Sequence, residues 1–338
     1  ADYQFTENFS SGIALCTEAS TASHTSVFDN AYTKNGDIEL AELWLKWEKP
    51  FEADWVSFVM GKQPMAHKFS GYTIGADVRL EGVSGKLGKF DLDDEKEWYL
   101  TSTHGVYFYD DTREDNFAIT ANEGDNTYMY INQITFGVKP DKDWTIEVTP
   151  GFVYYSGSDP NVAPTGETGV DAGDLSVITV NASVSHPLPE KLKGILYGEY
   201  GANLNGSTRG DRLRQIAAVA ASDDGDNQFF VTGWKFGDFK KKGGWNIDTS
   251  YAYYETYSWD SNINDANFNA NCLNAHGVGV SASYNFTDFL TGNFTWRTAW
   301  HLDEGVPSIN GLTRTTNAGA GNIVTTSDLM QLNLIWQY

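Results

Sequence analysis

The side chains most able to do chemistry, six histidines among them, do not form a catalytic pattern. No pair has the His-Glu-x-x-His spacing that binds zinc on one helix face. Asp174, Ser176 and His186 could be drawn as a hydrolytic triad. On one strand, however, Asp174 and His186 would lie roughly 40 Å apart at about 3.3 Å per residue. The sequence therefore predicts that the chain is not an enzyme.

Metal and thiol chemistry receive equally little support. The segment from Asp265 to Asn271 imitates the oxygen-ligand spacing of a calcium loop, but it lacks the glycine at the sixth position and has His276 in place of the bidentate Glu. A solvated Asn-rich loop is the favoured interpretation, and we predict no metal and no cofactor. Cys16 and Cys272 are too few for a disulfide scaffold or a four-cysteine site. Whether they bond to each other stays open.

The elements that must position any functional side chain show a two-residue hydrophobic period, the pattern of β-strands. At the C-terminus, Met330, Leu332 and Leu334 alternate with Gln331 and Asn333. Comparable stretches predict fourteen strands, at roughly 9–18, 37–48, 54–63, 76–87, 97–110, 127–139, 143–155, 173–186, 192–204, 227–237, 244–257, 273–286, 288–300 and 326–338.

These strands are about twice as long as the five or six residues typical of soluble sheets. Their apolar faces carry aromatic residues near both ends, and their other faces carry Gly, Ser, Asn, Thr and scattered charges. That arrangement suits a barrel with lipid outside and water inside, although a soluble all-β domain remains the alternative. The net charge of −22, with 23 Lys and Arg against 45 Asp and Glu, excludes a nucleic-acid partner held by phosphate contacts.

The connections between predicted strands alternate between short and long, which antiparallel barrels of outer membranes require. The short ones are 49–54, 88–96, 139–143, 186–191, 237–243 and 285–288. The long ones are 19–35, 63–75, 111–126, 156–172, 205–226, 259–271 and 301–325. We therefore predict an all-β fold, a transmembrane antiparallel β-barrel, that forms one domain over residues 1–338 and lies in a bacterial outer membrane.

The start of the chain resembles the end of a strand. Tyr3-Gln4-Phe5 precedes a polar turn in the way that Tyr284 to Phe286 does between two predicted strands. An antiparallel barrel with both termini on one side needs an even strand count, so we expect sixteen strands in the full protein, with N-terminal strands outside this sequence. Strand 326–338 should then pair with a segment upstream of residue 1.

Taken together, these segments resemble the porins of Gram-negative outer membranes, barrels of sixteen strands. The pieces that carry the resemblance, by order and spacing, are 11–15, 38–47, 59–64 with its Gly-Lys-x-Pro-like element, 78–83, 227–237, 244–254 and 275–284. The resemblance implies contact with membrane lipid and lipopolysaccharide, passage of small hydrophilic solutes, and a homotrimer as one possible assembly. The C-terminal residues Leu332, Leu334, Trp336 and Tyr338 resemble the signal that such proteins present to the barrel-assembly machinery.

Charges on membrane strands should point into the lumen, because a charge facing lipid costs roughly 2–4 kcal/mol at the midplane. This rule predicts lumen positions for Glu42, Lys46, Arg79, Glu81, Glu147, Lys235 and Arg297. In the porins that the chain resembles, the third outer loop folds inward, and it corresponds here to residues 63–75 with His67, Lys68 and Tyr72. The basic group that we expect to oppose acidic wall residues at the constriction is Lys62, His67, Lys68, Arg79 and Arg297.

The predicted function is passive diffusion through a water-filled pore whose charged rings set ion preference. Three alternatives stay open: a structural barrel that tethers the outer membrane, a channel selective for a sugar or an anion such as phosphate or a carboxylate, and an insulating sheath around a partner protein. An aromatic slide inside the lumen would favour sugars, and Trp44, Trp55 and Tyr155 are the candidates.

Overall fold

The computed structural model is all-β. It describes residues 2–17, 38–75, 78–93, 95, 97–109, 127–141, 143–156, 175–189, 192–208, 226–239, 241–260, 263–264, 268, 273–302 and 326–336. Helical backbone in these ranges is limited to a 3-10 turn at Pro50–Glu52 and to residues 206–208. None of the helical segments described is long and apolar enough to cross a membrane.

The described part of the chain contains fifteen strands. They are β1 (Asp2–Gln4), β2 (Phe9–Thr17), β3 (Ile38–Glu48), β4 (Val56–Gln63), β5 (Leu80–Asp91), β6 (Trp98–Tyr109), β7 (Thr127–Val138), β8 (Thr145–Ser156), β9 (Ser176–Pro187), β10 (Lys193–Asn203), β11 (Gln228–Asp238), β12 (Trp245–Tyr254), β13 (Ala275–Asn285), β14 (Leu290–His301) and β15 (Thr326–Trp336). The fourteen predicted strands correspond to β2–β15, and β1 is the strand end predicted at Tyr3.

The largest shift in bounds is in β5, which begins and ends later than predicted. Its start lies at Leu80 because the residues before it belong to an inserted loop. Its end passes Leu87 because a bulge shifts the register between Leu87 and Phe90, where Gly88 has a φ of 83°. A positive φ at a bulge is a conformation that glycine adopts readily, so the strand continues beyond the glycine.

The strands form one antiparallel sheet in which each strand pairs with its neighbours in chain order. The connections at one end are short: 5–8, 49–55, 92–97, 139–144, 188–192, 239–244 and 286–289. Those at the other end are long: 18–37, 64–79, 110–126, 157–175, 204–227, 255–274 and 302–325. The alternation predicted from the sequence is confirmed, and it defines a short-turn end and a long-loop end of the barrel.

The two faces of the sheet have opposite character. Leu45, Met60, Val83 and Val106 follow one another in cross-strand register, and the last three are 44–47% exposed on the outer face. On the inner face Gln63 and Ser84 are buried, and Ser84 donates a hydrogen bond to Gln63 at 2.6 Å. Apolar side chains therefore face outward and polar ones inward, as a membrane barrel requires.

Contacts across the interior show that the sheet curls into a barrel. The single loop at 64–79 contacts side chains of β6, β7, β10 and β12, which a flat sheet would hold far apart. Among the described residues, β15 pairs with β14 only, and β1 with β2 only. The expected total of sixteen strands stays a prediction.

The long-loop half of the interior contains a buried apolar cluster. Its wall residues come from β5 to β9 and β11 to β14, and they include Tyr107, Met129 and Val153. Described residues of the connections 64–79 and 255–274, among them Tyr72 and Trp259, complete it from inside the barrel. The sequence analysis did not predict this cluster, which combines apolar side chains of the wall with those of the loops.

Candidate functional site

The candidate site is the lumen where the connection 64–79, called here the inserted loop, crosses the barrel. Its first half is fastened to β6 and β7. The backbone N–H of Lys68 donates to the side-chain oxygen of Gln133 at 2.7 Å, and the Gln133 amide donates back to the Lys68 carbonyl at 2.8 Å. His67 lies 2.9 Å from the hydroxyl of Tyr107. Gln133 is buried, so both of its bonds are shielded from solvent.

The second half of the inserted loop is fastened to β10 and β12. One carboxylate oxygen of Glu199 accepts hydrogen bonds from the Ser70 N–H at 2.8 Å and from the Thr73 hydroxyl at 2.7 Å. The hydroxyls of Tyr72 and Ser250 are 2.7 Å apart. A buried carboxylate is costly without such partners. Glu199 therefore holds the loop in place, and the loop in turn supplies the hydrogen-bond donors that this buried carboxylate needs.

Described residues of the connection 255–274 hold the inserted loop in place from the long-loop end. The Trp259 indole N–H donates to the Thr73 carbonyl at 2.7 Å, and the Gly75 N–H donates to the Ile263 carbonyl at 2.9 Å. The Phe268 ring packs edge-on against Tyr72, with centroids 5.2 Å apart. The sequence predicted a solvated outer loop here, whereas Phe268 is fully buried. The rest of the calcium-like segment 265–271 lies outside the described residues.

Arg297 and Tyr72 meet on the inner face of β13 and β14. The Arg297 guanidinium lies 4.7 Å from the centroid of the Tyr72 ring, within the range of a cation–π contact. The Tyr72 hydroxyl sits over Gly279, where the Cβ of any other residue would overlap it. Gly279 thus leaves room for the tip of the inserted loop to reach the wall.

Charged side chains of both signs line the lumen in pairs. Lys68 on the inserted loop lies 2.7 Å from Glu147 of β8, which also accepts a hydrogen bond from the Tyr99 hydroxyl at 2.7 Å. Arg79, at the end of the inserted loop, pairs with Glu42 of β3 at 2.5 Å. Each pair therefore joins one cation of the inserted loop to one anion of the barrel wall.

The remaining predicted lumen charges occupy positions nearer the short-turn end. Lys46 pairs with Glu48 at 2.5 Å on the inner face of β3. Lys235 of β11 is the cross-strand partner of Asp248, which accepts a hydrogen bond from the Tyr197 hydroxyl at 2.9 Å. The structure therefore places Glu42, Lys46, Glu147, Lys235 and Arg297 on the inner face of the wall, with Arg79 reaching it from the end of the loop. Their part in ion selection stays a prediction.

The structure differs from the predicted lumen set at Lys62 and Glu81. They are direct cross-strand partners of each other, and their row continues to Leu43 and Phe108, which are 52% and 47% exposed on the outer face. Both residues lie at the long-loop ends of their strands. A charge near that rim reaches water and headgroups at little cost, so the midplane rule does not force it inward.

His67 lies in the lumen as predicted but does not fit the basic group assigned to it. Burial, together with the nearby His104, lowers its pKa to about 3. The imidazole is therefore neutral at the pH of a living cell. The structure brings Lys68 and Arg297 to one cavity beside the inserted loop, whereas Arg79 pairs with Glu42.

Of the predicted assembly signal, Leu332, Leu334 and Trp336 project from the outer face of β15 and are more than half exposed. Tyr338, Cys272 and the side chain of Cys16 lie outside the described residues. Within the described ranges, no group of three or more His, Cys, Asp or Glu side chains could hold a metal ion. The three aromatic residues named as candidates for an aromatic path for sugars along the lumen lie in three different places. Trp44 donates to Glu42, Trp55 lies at a turn, and Tyr155 is buried in the apolar cluster.

Sequence reasoning missed Gln133 and Glu199, the two wall residues that fasten the inserted loop. Both occupy lumen positions in the period-2 pattern, and that pattern could have singled out Glu199 as a charge facing inward. It also missed the inward fold of 255–274. The only available signal was three large apolar residues, Trp259, Ile263 and Phe268, within a segment rich in Asn.

Comparison with known proteins gives structural neighbours only. No protein-family model matches, and no curated protein sequence matches. Solved structures that are similar include OprB of Pseudomonas putida, at 10% identity over 78% of this chain and 68% of that chain with a TM-score of 0.47. They also include OmpT, an outer membrane protein of Vibrio cholerae, in its trimer form, at 9% identity over 99% of this chain and 88% of that chain with a TM-score of 0.49.

The fold and its location follow from the features above. Long antiparallel strands in one curled sheet carry an apolar outer face, a charged and hydroxyl-rich wall lies inside, and short turns alternate with long loops. Such a barrel is stable where lipid surrounds it and water enters it. The chain is an antiparallel β-barrel of a bacterial outer membrane.

Proposed function

We propose that the chain forms a water-filled channel through which ions and small hydrophilic solutes diffuse passively across the outer membrane. The observation that carries the proposal is the inserted loop. It crosses a lumen lined by paired charges, and its middle residues Lys68 and Ser70 are fastened to the wall by Gln133 and Glu199. A fixed loop of this kind narrows a barrel to a constriction and leaves it permeable on the side that the loop does not fill.

The permeable side of the proposed channel is the wall of β2 to β4. Among the described residues, no member of the buried apolar cluster comes from these three strands. Their inner face instead carries Glu42 and Lys46, and the Glu42 and Arg79 side chains keep 17% and 27% of their surface exposed. This wall is the path that we propose for water and ions past the inserted loop.

Charge in the channel is mixed, and this supports weak rather than strong ion selectivity. The ion pairs of Lys68 with Glu147 and of Arg79 with Glu42 set cations of the inserted loop against anions of the wall. The net charge of −22 accumulates cations at the mouths. We therefore expect a modest preference for cations, since charged rings in a pore set such preferences.

The competing functions have less support. A sheath for a partner protein requires a wide lumen, whereas Tyr72, Trp259 and Phe268 occupy one half of it. A tether needs a further domain, on which residues 1–338 give no information. Contacts with lipopolysaccharide, recognition by the barrel-assembly machinery and assembly as a homotrimer belong to this proposal as expectations that follow from the resemblance to porins.

The experiment is planar-bilayer recording with the purified, folded full chain in symmetrical salt and then in a salt gradient. The proposal expects stepwise, long-lived openings with a reversal potential slightly toward cations. Heat-unfolded protein at the same concentration is the control. Absence of steps from protein that still shows a β-sheet circular-dichroism spectrum would refute the channel and favour the tether.

A further inference from the structure

Three polar side chains form a hydrogen-bonded group on the lipid-facing wall of the barrel. His104 and Asn132 are cross-strand partners on β6 and β7, and the His104 Nδ1 lies 2.8 Å from the Asn132 Oδ1. The His104 Nε2 lies 3.0 Å from the Ser102 hydroxyl. Ser102 and His104 share the outer face with Val106, because side chains two residues apart on a strand point to the same side. We call Ser102, His104 and Asn132 the polar trio.

The polar trio lies in the middle of the membrane. His104 is the seventh of the twelve residues of β6, and Asn132 is the sixth of the twelve residues of β7. Tilted strands of this length cross the whole hydrocarbon layer. Water and headgroups are therefore out of reach of the trio, in contrast to Lys62 and Glu81 at the long-loop ends of their strands. Polar and ionisable side chains at this depth are costly against lipid, and their presence points to a specific partner.

Apolar side chains surround the polar trio. The cross-strand row of His104 and Asn132 is flanked by the rings of Phe58 and Phe152. The neighbouring rows contribute Val83, Val106, Tyr130, Leu87 and Ile134. A ring of this kind shields the hydrogen bonds at the centre of a contact once a partner covers it.

The polar trio satisfies only part of its own hydrogen-bonding capacity. The amide oxygen of Asn132 can only accept, so the Nδ1–H of His104 donates to it. In the neutral imidazole, Nε2 then accepts from the Ser102 hydroxyl. Within the described part of the chain, the Asn132 amide N–H groups have no acceptor. The Ser102 oxygen and the Asn132 oxygen can each accept a further bond, so the trio presents donors and acceptors side by side.

Polar side chains at comparable depth on β11 and β12 behave differently. The Thr232 hydroxyl donates to the Tyr197 carbonyl at 3.2 Å, and the Thr249 hydroxyl donates to the Trp234 carbonyl at 3.3 Å. These bonds to the backbone direct both donors away from the lipid. The unmatched amide of Asn132 is therefore a feature of this part of the wall.

A second copy of this chain matches the polar trio in both chemistry and depth. Lipid acyl chains have no hydrogen-bonding groups at mid-height. Two copies inserted in the same direction present their trios at the same depth. A two-fold axis along the membrane normal then brings the two Asn132 side chains together. Each amide can donate to the Asn132 oxygen or the Ser102 oxygen of the other copy, which matches every donor with an acceptor.

We propose that the outer wall of β5 to β8, centred on the polar trio, is the contact through which two copies of this chain form a dimer in the membrane. One self-complementary patch joins two copies about a two-fold axis, whereas a trimer joins two different faces of each copy. The inference therefore differs from the homotrimer that the resemblance to porins implies. It does not depend on the proposed channel, because the patch lies outside the lumen.

Cross-linking in liposomes tests the face. The full chain carries Cys16→Ser and Cys272→Ser, so that an introduced thiol is the only one. Val106→Cys and Ile134→Cys each place a thiol beside the polar trio. The matched control is Val180→Cys on β9, because Val180 is 42% exposed and Val106 is 44% exposed on the same outer face. A short bifunctional thiol reagent should join two copies through position 106 or 134 and not through position 180. Heat-dependent migration in gels establishes that each variant is a folded barrel.

The strength of association is measured by Förster transfer between donor-labelled and acceptor-labelled copies in liposomes of increasing lipid content. Asn132→Val removes the amide from both sides of the contact. We expect association to weaken about five- to tenfold, as for the loss of two hydrogen bonds between membrane-spanning elements. The control is Thr232→Val, which removes a hydroxyl of the outer wall outside the patch and should leave association unchanged. Native mass spectrometry of the unchanged chain should give the mass of two copies.

Four results would overturn the proposal. One is the absence of cross-linking at positions 106 and 134 in folded barrels, or equal cross-linking at position 180. Another is unchanged association of Asn132→Val. The third is a native mass of one copy or of three. The fourth is cross-linking in native outer membranes to a different protein only, which would assign the face to that partner.

Discussion

Replacing Glu199 by Ala should loosen the inserted loop while leaving the barrel wall intact. The side chain is 3% exposed, and one of its oxygens accepts from both the Ser70 N–H and the Thr73 hydroxyl. Alanine removes the acceptor of both hydrogen bonds. The strand itself keeps its backbone pairing with β9 and β11.

The magnitude follows from the two lost bonds. A hydrogen bond to a charged group contributes about 1.5–3 kcal/mol. The variant also removes a buried carboxylate, whose desolvation offsets part of this loss. We therefore expect the fastened state of the loop to lose about 2–4 kcal/mol relative to detached states. At about 1.4 kcal/mol per factor of ten, even the smaller value raises the detached fraction roughly 30-fold.

The assay is single-channel recording of Glu199→Ala beside the unchanged chain. A detached loop should produce rapid flicker and openings of higher conductance, and limited proteolysis should cut more readily within 64–79. The control is Glu147→Ala, which removes an ion pair to the side chain of Lys68 and a hydrogen bond from the Tyr99 hydroxyl of the wall, but no bond to the loop backbone. That pair is partly exposed and contributes about 0–1 kcal/mol, so Glu147→Ala should alter ion preference without flicker.

The reasoning would be refuted by a Glu199→Ala channel with unchanged conductance, noise and protease sensitivity. The same conclusion would follow if Glu147→Ala produced equal flicker. In either case the fastening of the loop would reside in its apolar contacts and not in the buried carboxylate.

Three further predictions concern the same lumen. Changing Arg79 and Arg297 together to Glu should move the reversal potential toward cations in a salt gradient, and an unchanged potential would place both outside the conducting path. Gly279→Val should displace Tyr72, because the new Cβ would overlap the Tyr72 hydroxyl. The thermal midpoint of unfolding should fall by an amount equivalent to about 1–3 kcal/mol, and an unchanged midpoint would contradict the tight fit. His67 has a pKa of about 3 in the folded loop and stays neutral there, whereas a His in an unfolded loop takes up a proton below about pH 6.5. The attachment of the loop to the wall should therefore weaken as the pH falls from about 6.5 toward 3. Protease sensitivity of the loop against pH would measure this effect, and His67→Asn should remove it.

The strands could be predicted from the sequence because alternation is local. Each of the strands β2 to β15 has enough period-2 contrast for its two faces to be told apart, as Met330, Leu332 and Leu334 illustrate in β15. The resemblance to porins, together with the count of strands, predicts that residues 63–75 fold inward. The structure places His67 and Tyr72 inside the barrel. The strand pattern itself contains no information about loops.

The errors have a common physical origin. Lys62 and Glu81 were assigned by charge, although Glu81 shares the face of Val83 two residues along the strand. Alternation should have outweighed charge near a rim, where water is accessible. The basicity assigned to His67 failed because burial depends on Tyr107 and the loop, which are forty residues apart in sequence. Cross-barrel contacts of this range leave no local signature.

The central claim is that residues 64–79 form the constriction of a water-filled barrel. The most direct measurement is a liposome-swelling series with uncharged solutes of increasing size, comparing the full chain with a variant that lacks residues 66–74. Heat-dependent migration in gels would establish that the variant is a folded barrel. The account predicts faster swelling and a larger size limit for the variant. Equal swelling rates from two folded barrels across the whole series would contradict it.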